Sequence, residues 1–162
     1  MGIVGTAVLA AGGAAVYWAM APAWHANRLQ PPGRLVFRAV ALAVLDGSLP
    51  GEASSRMQAL ESHLTHMETT IAALPPATQR ELDQLLGLLA SPPGRRLLAG
   101  LSQPWDVATI EDVRQSLQLM RESTLAVRRQ AYHALRDLTH AAFFADEQHW
   151  ALLGYPGPRA LG

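Results

Sequence analysis

Along most of this chain, apolar side chains recur at spacings of three and four residues and show no alternation of period two. That pattern restricts the fold to packed helices. Met57, Leu60, Leu64, Met67, Ile71 and Leu74 form one such seam, and Leu82, Leu85, Leu86 and Leu89 form a shorter one. Val113, Leu117, Met120, Thr124, Val127, Ala131, Leu135 and Leu138 form the longest, reaching to about Phe143. The pairs Ser55/Gln58, Thr78/Glu81 and Thr109/Asp112 each have the form of a capping box, placing helix starts ahead of the three seams. Pro75-Pro76 and Ser91-Pro92-Pro93-Gly94 separate them, and Arg95 to Gly100 has room for one or two further turns. Leu35 to Leu45 is apolar except at Arg38 and stops at Asp46-Gly47, which reads as a helix buried nearly all round. No hairpin turn is evident. The expected class is all-α, a helical bundle around one long C-terminal helix of roughly 50 Å.

The first 24 residues carry no charged side chain. From Met1 to Ala21 they are long enough to cross a hydrocarbon core of about 30 Å as a helix, and Tyr17, Trp18 and Trp24 stand where an interfacial aromatic belt would lie. A membrane-spanning helix is therefore expected over residues 1–24. A cleaved signal, with Ala19-Met20-Ala21 or Ala21-Pro22-Ala23 as its small-residue site, is the alternative. Residues 25–33 then read as a linker, 34–142 as the bundle domain and 143–162 as an aromatic docking tail. Arg28, Arg34 and Arg38 follow the apolar run, so the positive-inside rule places the domain in the cytoplasm.

Composition excludes several kinds of chemistry. There are 13 basic residues, all Arg, against 13 acidic ones, a balance without the clustered positive charge that nucleic acid requires. No Cys is present, which removes disulfides, thiolate metal sites and Cys nucleophiles. Six His offer the pairs His63/His66 and His133/His140 on helix faces, but zinc wants three or four ligands and a di-iron bundle wants repeated Glu-x-x-His motifs. No nucleophile is paired with a base, and no glycine-rich phosphate loop precedes a helix. No catalytic, cofactor-binding or metal residue is assigned.

What remains points to binding. Arg114, Arg121 and Arg128 recur every seven residues, as either a solvated flank or a docking stripe. The chain then spends Phe143, Phe144, Trp150 and Tyr155 on its last stretch, side chains that need a surface to bury them, this protein's own or a partner's. A free-standing bundle holding an apolar ligand or haem through its Met and His positions is the rival reading.

The order Asp46-Gly47-Ser48-Leu49-Pro50-Gly51, a Leu-rich helix, Trp105 ahead of the last long seam, and the terminal FFADEQHWALLGYPGP resembles the small subunit of membrane-associated flavin-dependent alcohol and sugar dehydrogenases, the gluconate 2-dehydrogenase subunit 3 family. The resemblance runs from about residue 34 to 158. It implies a non-catalytic subunit that anchors, stabilises and matures a large FAD-bearing partner of the glucose-methanol-choline class. A multihaem cytochrome c is often a third component, and the complex lies on the periplasmic side of the bacterial inner membrane. It implies no cofactor in this chain. By position it suggests Trp105, Phe143, Phe144, Trp150, Gly154, Tyr155, Pro156, Gly157 and Pro158 as contacts with the large subunit. The family's members carry a twin-arginine export signal, and here no Arg-Arg precedes MGIVGTAVLAAGG.

Overall fold

The computed structural model describes residues 22–146. Over that span the chain is mostly helical, in agreement with the all-α expectation. A two-stranded antiparallel hairpin, β1 (Trp24–His25) and β2 (Arg28–Leu29), leads into α1 (Pro31–Val44), α2 (Ala53–Ala72) and α3 (Pro76–Ala90). A single turn α4 (Pro92–Gly94) runs into a π-helical turn, Arg95–Ala99, followed by α5 (Ile110–Arg121) and α6 (Ala126–Phe144).

Helix α1 is the centre of the bundle, packed against α2, α3, α5 and α6. Val36, Phe37, Val40 and Ala41 are fully enclosed, as a helix apolar on nearly every face demands. Its two arginines, Arg34 and Arg38, sit one turn apart and face α2, where they pair with Glu61 at 2.5 and 3.5 Å; Arg34 also reaches Glu68 at 3.2 Å. The main core adds Leu64, Met67 and Ile71 of α2, Leu86 and Leu89 of α3, Val113 and Met120 of α5 and Leu135 of α6. These come from the apolar seams read from the sequence, of which Met57, Thr124 and Val127 are exposed instead. A smaller cluster of Ala41, Leu45, Leu49, Leu60 and Phe143 closes the far end.

The long C-terminal helix of the sequence reading is instead two helices. The chain breaks at residues 122–125, because the Ser123 hydroxyl accepts the Leu125 amide at 3.2 Å and competes with the helical ladder. Arg129 fixes the corner by donating to the carbonyls of Ser123 and Thr124, at 2.7 and 2.9 Å. The bundle is accordingly organised round α1.

Two capping boxes are also corrected. Helix α2 starts earlier than Ser55/Gln58 implies, because Glu52 is the cap and its carboxylate accepts the amides of Ser54 and Ser55 at 2.9 and 2.8 Å. Helix α3 opens on Pro76 without a side-chain cap, since proline in the first turn has no amide to satisfy and already holds helical φ. Thr109 and Asp112 do form the expected reciprocal box.

Residues 25–33 are not a linker. They form the hairpin and the first turn of α1, where Pro31 and Pro32 act as helix starters. The hairpin turn uses Ala26 and Asn27 in left-handed conformation, φ 48° and 58°, the pair of positive φ values that a tight two-residue turn requires. Its seat on α1 depends on Gly33: a Cβ there would stand 2.4 Å from the Ala23 carbonyl oxygen. Among the described residues, no helix is long and apolar enough to cross a membrane; the uncharged run over residues 1–21 lies outside them.

Leu135 is fully enclosed and Leu97 is 74 % exposed. Leu135→Ala should lower stability by about 2–5 kcal/mol through lost burial and a residual cavity, and Leu97→Ala should stay within about 0.5 kcal/mol of wild type. Urea unfolding followed by circular dichroism checks both.

Candidate functional site

Among the described residues, one concavity lies between the N-terminal half of α2 and the end of α6. It is a cavity of about 510 Å³, bounded by Ser48, Leu49 and Pro50 of the α1–α2 loop. One face of α2 supplies Ser55, Gln58, Ala59, Ser62, His63 and His66. Ala142, Phe143 and Asp146 close the α6 side. The α2 residues recur at three and four, so a single polar and small-residue stripe of that helix forms the wall. His63 is buried against Phe143, with ring centroids 6.4 Å apart, and the Phe143 and Phe144 rings meet edge to face at 5.2 Å.

The mouth of the cavity is held by the α2 cap. The hydroxyl of Ser54, followed by the amides of Ser54 and Ser55, hydrogen-bonds the Glu52 carboxylate and holds its pKa down from an ordinary 4.5 to about 2. On α5, the Thr109 hydroxyl and amide lower Asp112 in the same way. On α6, partial burial and then the charge of Arg136 push His140 below the usual imidazole range, with Asp137 opposing them.

A second groove of about 360 Å³ runs between α1 and the approach to α5. Leu35, Ala39 and Leu42 line it on one side and Trp105, Ala108, Ile110 and Val113 on the other, with Arg38 and Asp106 at its rim.

The residues singled out in the sequence are distributed differently from the expectation. Trp105 is 4 % exposed, and its indole donates to the Leu89 carbonyl at 2.7 Å, so it ties the approach to α5 onto α3. Its side chain belongs to the interior, beneath the second groove. Phe143 likewise belongs to the core, and Phe144 is half-buried beside it. Arg114, Arg121 and Arg128 do not make one stripe, because the break at 122–125 puts Arg128 on another helix. Arg114 pairs with Asp46, Arg121 lies 3.7 Å from Glu122, and Arg128 donates to the Leu98 carbonyl at 2.8 Å. Trp24, expected at a membrane boundary, is 8 % exposed and packs on α3. Tyr17, Trp18, Trp150, Gly154, Tyr155, Pro156, Gly157 and Pro158 lie outside the described residues.

The cavity itself went unread in the sequence. The one signal available was His63 and His66 on a common helix face, since the other walls come from segments about 80 residues further along and from the preceding loop. Among the described residues, no three His, Asp or Glu side chains stand close enough to hold a metal ion. Comparison with protein-family models, with curated proteins and with solved structures finds no match for this chain.

Trp105→Phe keeps an aromatic ring but removes the indole N–H and strands the buried Leu89 carbonyl. It should cost about 1–3 kcal/mol, whereas Arg121→Ala on the surface should cost less than about 0.5 kcal/mol; thermal unfolding of the two variants checks this. The Glu52 cap has its own pH signature. With the folded pKa below the unfolded one, its contribution is complete above about pH 4.5 and is lost as pH falls toward about 2. Glu52→Gln should therefore melt lower than wild type at pH 7, and the gap should narrow across that acid window.

Proposed function

We propose that this chain is a non-catalytic subunit that holds a larger flavin-dependent dehydrogenase of the glucose-methanol-choline class at the bacterial inner membrane and stabilises its fold. The observation that carries this reading is the position of Asp146 on the cavity wall. The described chain therefore ends at the rim of a concave surface, and the aromatic segment with Trp150 and Gly-Tyr-Pro-Gly-Pro follows it in sequence. Trp and Tyr are the side chains most often found as interface anchors, and proline limits the entropy lost when such a segment lies down on a partner. The likeness of this segment to the small-subunit family supplies the chemistry of the partner. Flavin chemistry and substrate selection belong to that partner, with a multihaem cytochrome c as the acceptor of its electrons. The uncharged run over residues 1–21 supplies the attachment to the membrane.

The second reading, a free-standing bundle that takes an apolar ligand or haem, is offered His63 and His66 by the cavity, on a wall that Ser55, Gln58 and Ser62 make largely polar. One experiment separates the two. The tagged full chain is extracted in detergent from its native membranes, and the visible spectrum and composition of the product are recorded. The subunit reading expects a flavin spectrum and a stoichiometric large flavoprotein, both lost when residues 147–162 are deleted. A partner that stays fully active and membrane-bound after the deletion overturns it. A coloured or ligand-loaded chain purified alone establishes the second reading.

A further inference from the structure

We propose that the β1–β2 hairpin, with His25 and Arg28 at its surface, is the face of the domain that lies on the phospholipid headgroups, and that the cavity wall at Ser55 points away from the bilayer. This rests on the anchoring part of the function proposed above and adds an orientation to it. The argument turns on the length of the tether. Ala23 is inaccessible to solvent, and its amide and that of Trp24 both donate to one carboxylate oxygen of Asp83, at 2.7 and 2.8 Å. The Ala23 carbonyl accepts the Gln30 amide at 2.9 Å, and the Trp24 indole donates to Gln79 at 3.0 Å. The chain is thus clamped to α3 and α1 at residue 23. Only Pro22 separates the clamp from the uncharged run over residues 1–21.

One residue spans at most about 3.6 Å, and proline holds its φ fixed. With the uncharged run as the attachment proposed above, so short a connection would hold the clamped end of the domain toward the membrane. At that end the Arg28 side chain is 78 % exposed. It lies 4.0 Å from one oxygen of Glu68, whose other oxygen accepts the Leu29 amide and Arg34. So long and exposed a pair is weak, and the planar fork of Arg28 can turn to headgroup phosphates instead. Arg80 and Glu81 on α3 add opposite charges that cancel. Glu68, beside the hairpin, and Ser55, on the cavity wall, are 13 residues apart on α2. At 1.5 Å per residue the cavity's outer rim stands roughly 20 Å further along the helix, where a large partner can reach it.

The absence of native Cys makes the test clean. His25→Cys and Met57→Cys, both exposed positions on opposite ends of the domain, are made separately in the full chain and labelled with a fluorophore. The proteins are reconstituted into phosphatidylcholine and phosphatidylglycerol vesicles that carry a nitroxide on the headgroup. The label at residue 25 should be quenched severalfold more than the label at residue 57. Asp83→Ala, checked for folding by circular dichroism, should shrink that contrast by loosening the clamp. Equal quenching at the two positions in vesicle-bound protein overturns the orientation and leaves the anchoring reading standing. A chain that does not partition into vesicles overturns both. An undiminished contrast in folded Asp83→Ala overturns the clamp as its cause.

Discussion

Helix α1 has almost no polar face, and most of what surrounds it follows from that. A helix of this kind is stable in water only if other elements cover it, and four long helices do so here. Arg34 and Arg38 break the symmetry. Because they lie one turn apart, they mark one line along α1 as the place for an acidic neighbour, and Glu61 and Glu68 of α2 meet them there. The pairs with Glu61 are largely exposed, and such pairs contribute little to stability individually, usually less than about 1 kcal/mol. Their effect here is to fix which face of α2 turns toward α1, and so which face is left to form the cavity. Glu68 extends the same network to the hairpin by accepting the Leu29 amide at 3.2 Å.

The helices that were legible in the sequence are those whose apolar seam and end signals agree. The Thr109/Asp112 box and the seam over Val113, Leu117 and Met120 are of this kind, and so is the fully apolar α1. The break between α5 and α6 was not legible, because its residues do not interrupt the spacing. Thr124 sits in register with Met120 and Val127, and the Ser123 hydroxyl that ends the ladder looks in the sequence like any exposed serine. The hairpin was hidden for a related reason. Its turn uses Ala26 and Asn27 at positive φ without a glycine, so the usual Asn-Gly or Gly-containing signal is missing. The fit of Gly33 against Ala23 holds that turn in place, and such a tertiary contact leaves no mark in local sequence.

The candidate site was legible only in part, for a different physical reason. A buried aromatic and an interface aromatic look the same in one dimension, since both need apolar surroundings and a place for a polar edge. Trp105 and Trp24 each find that place inside this chain, at the Leu89 carbonyl and at Gln79. The seven-residue recurrence of Arg114, Arg121 and Arg128 suggests one face only while the helix is continuous. Once it breaks, Arg128 serves to fasten α6 to the π-helical turn through the Leu98 carbonyl. Conversely, the cavity is assembled from a loop, one stripe of α2 and the last turn of α6, and no local window of sequence contains all three.

These placements give the two ends of the domain different characters. At one end, Asp83, Gln79, Gln30 and Gly33 all act on Ala23 and Trp24, and their joint effect is to remove freedom from the chain where it enters the bundle. A carboxylate accepting two successive backbone amides is a rigid joint, because both bonds must break before the strand can swing. At the other end, Phe143 closes the smaller core cluster while Asp146, three residues on, already stands on an open wall. The helix is thus fixed by its last buried ring and released within one turn of it. The subunit function proposed above would call for this asymmetry: a stiff attachment would set where the domain sits, and a surface that its own core does not close would be left for a second body. The dipole of α2 runs between the two ends with its positive pole at the cavity, where the Glu52 carboxylate caps it.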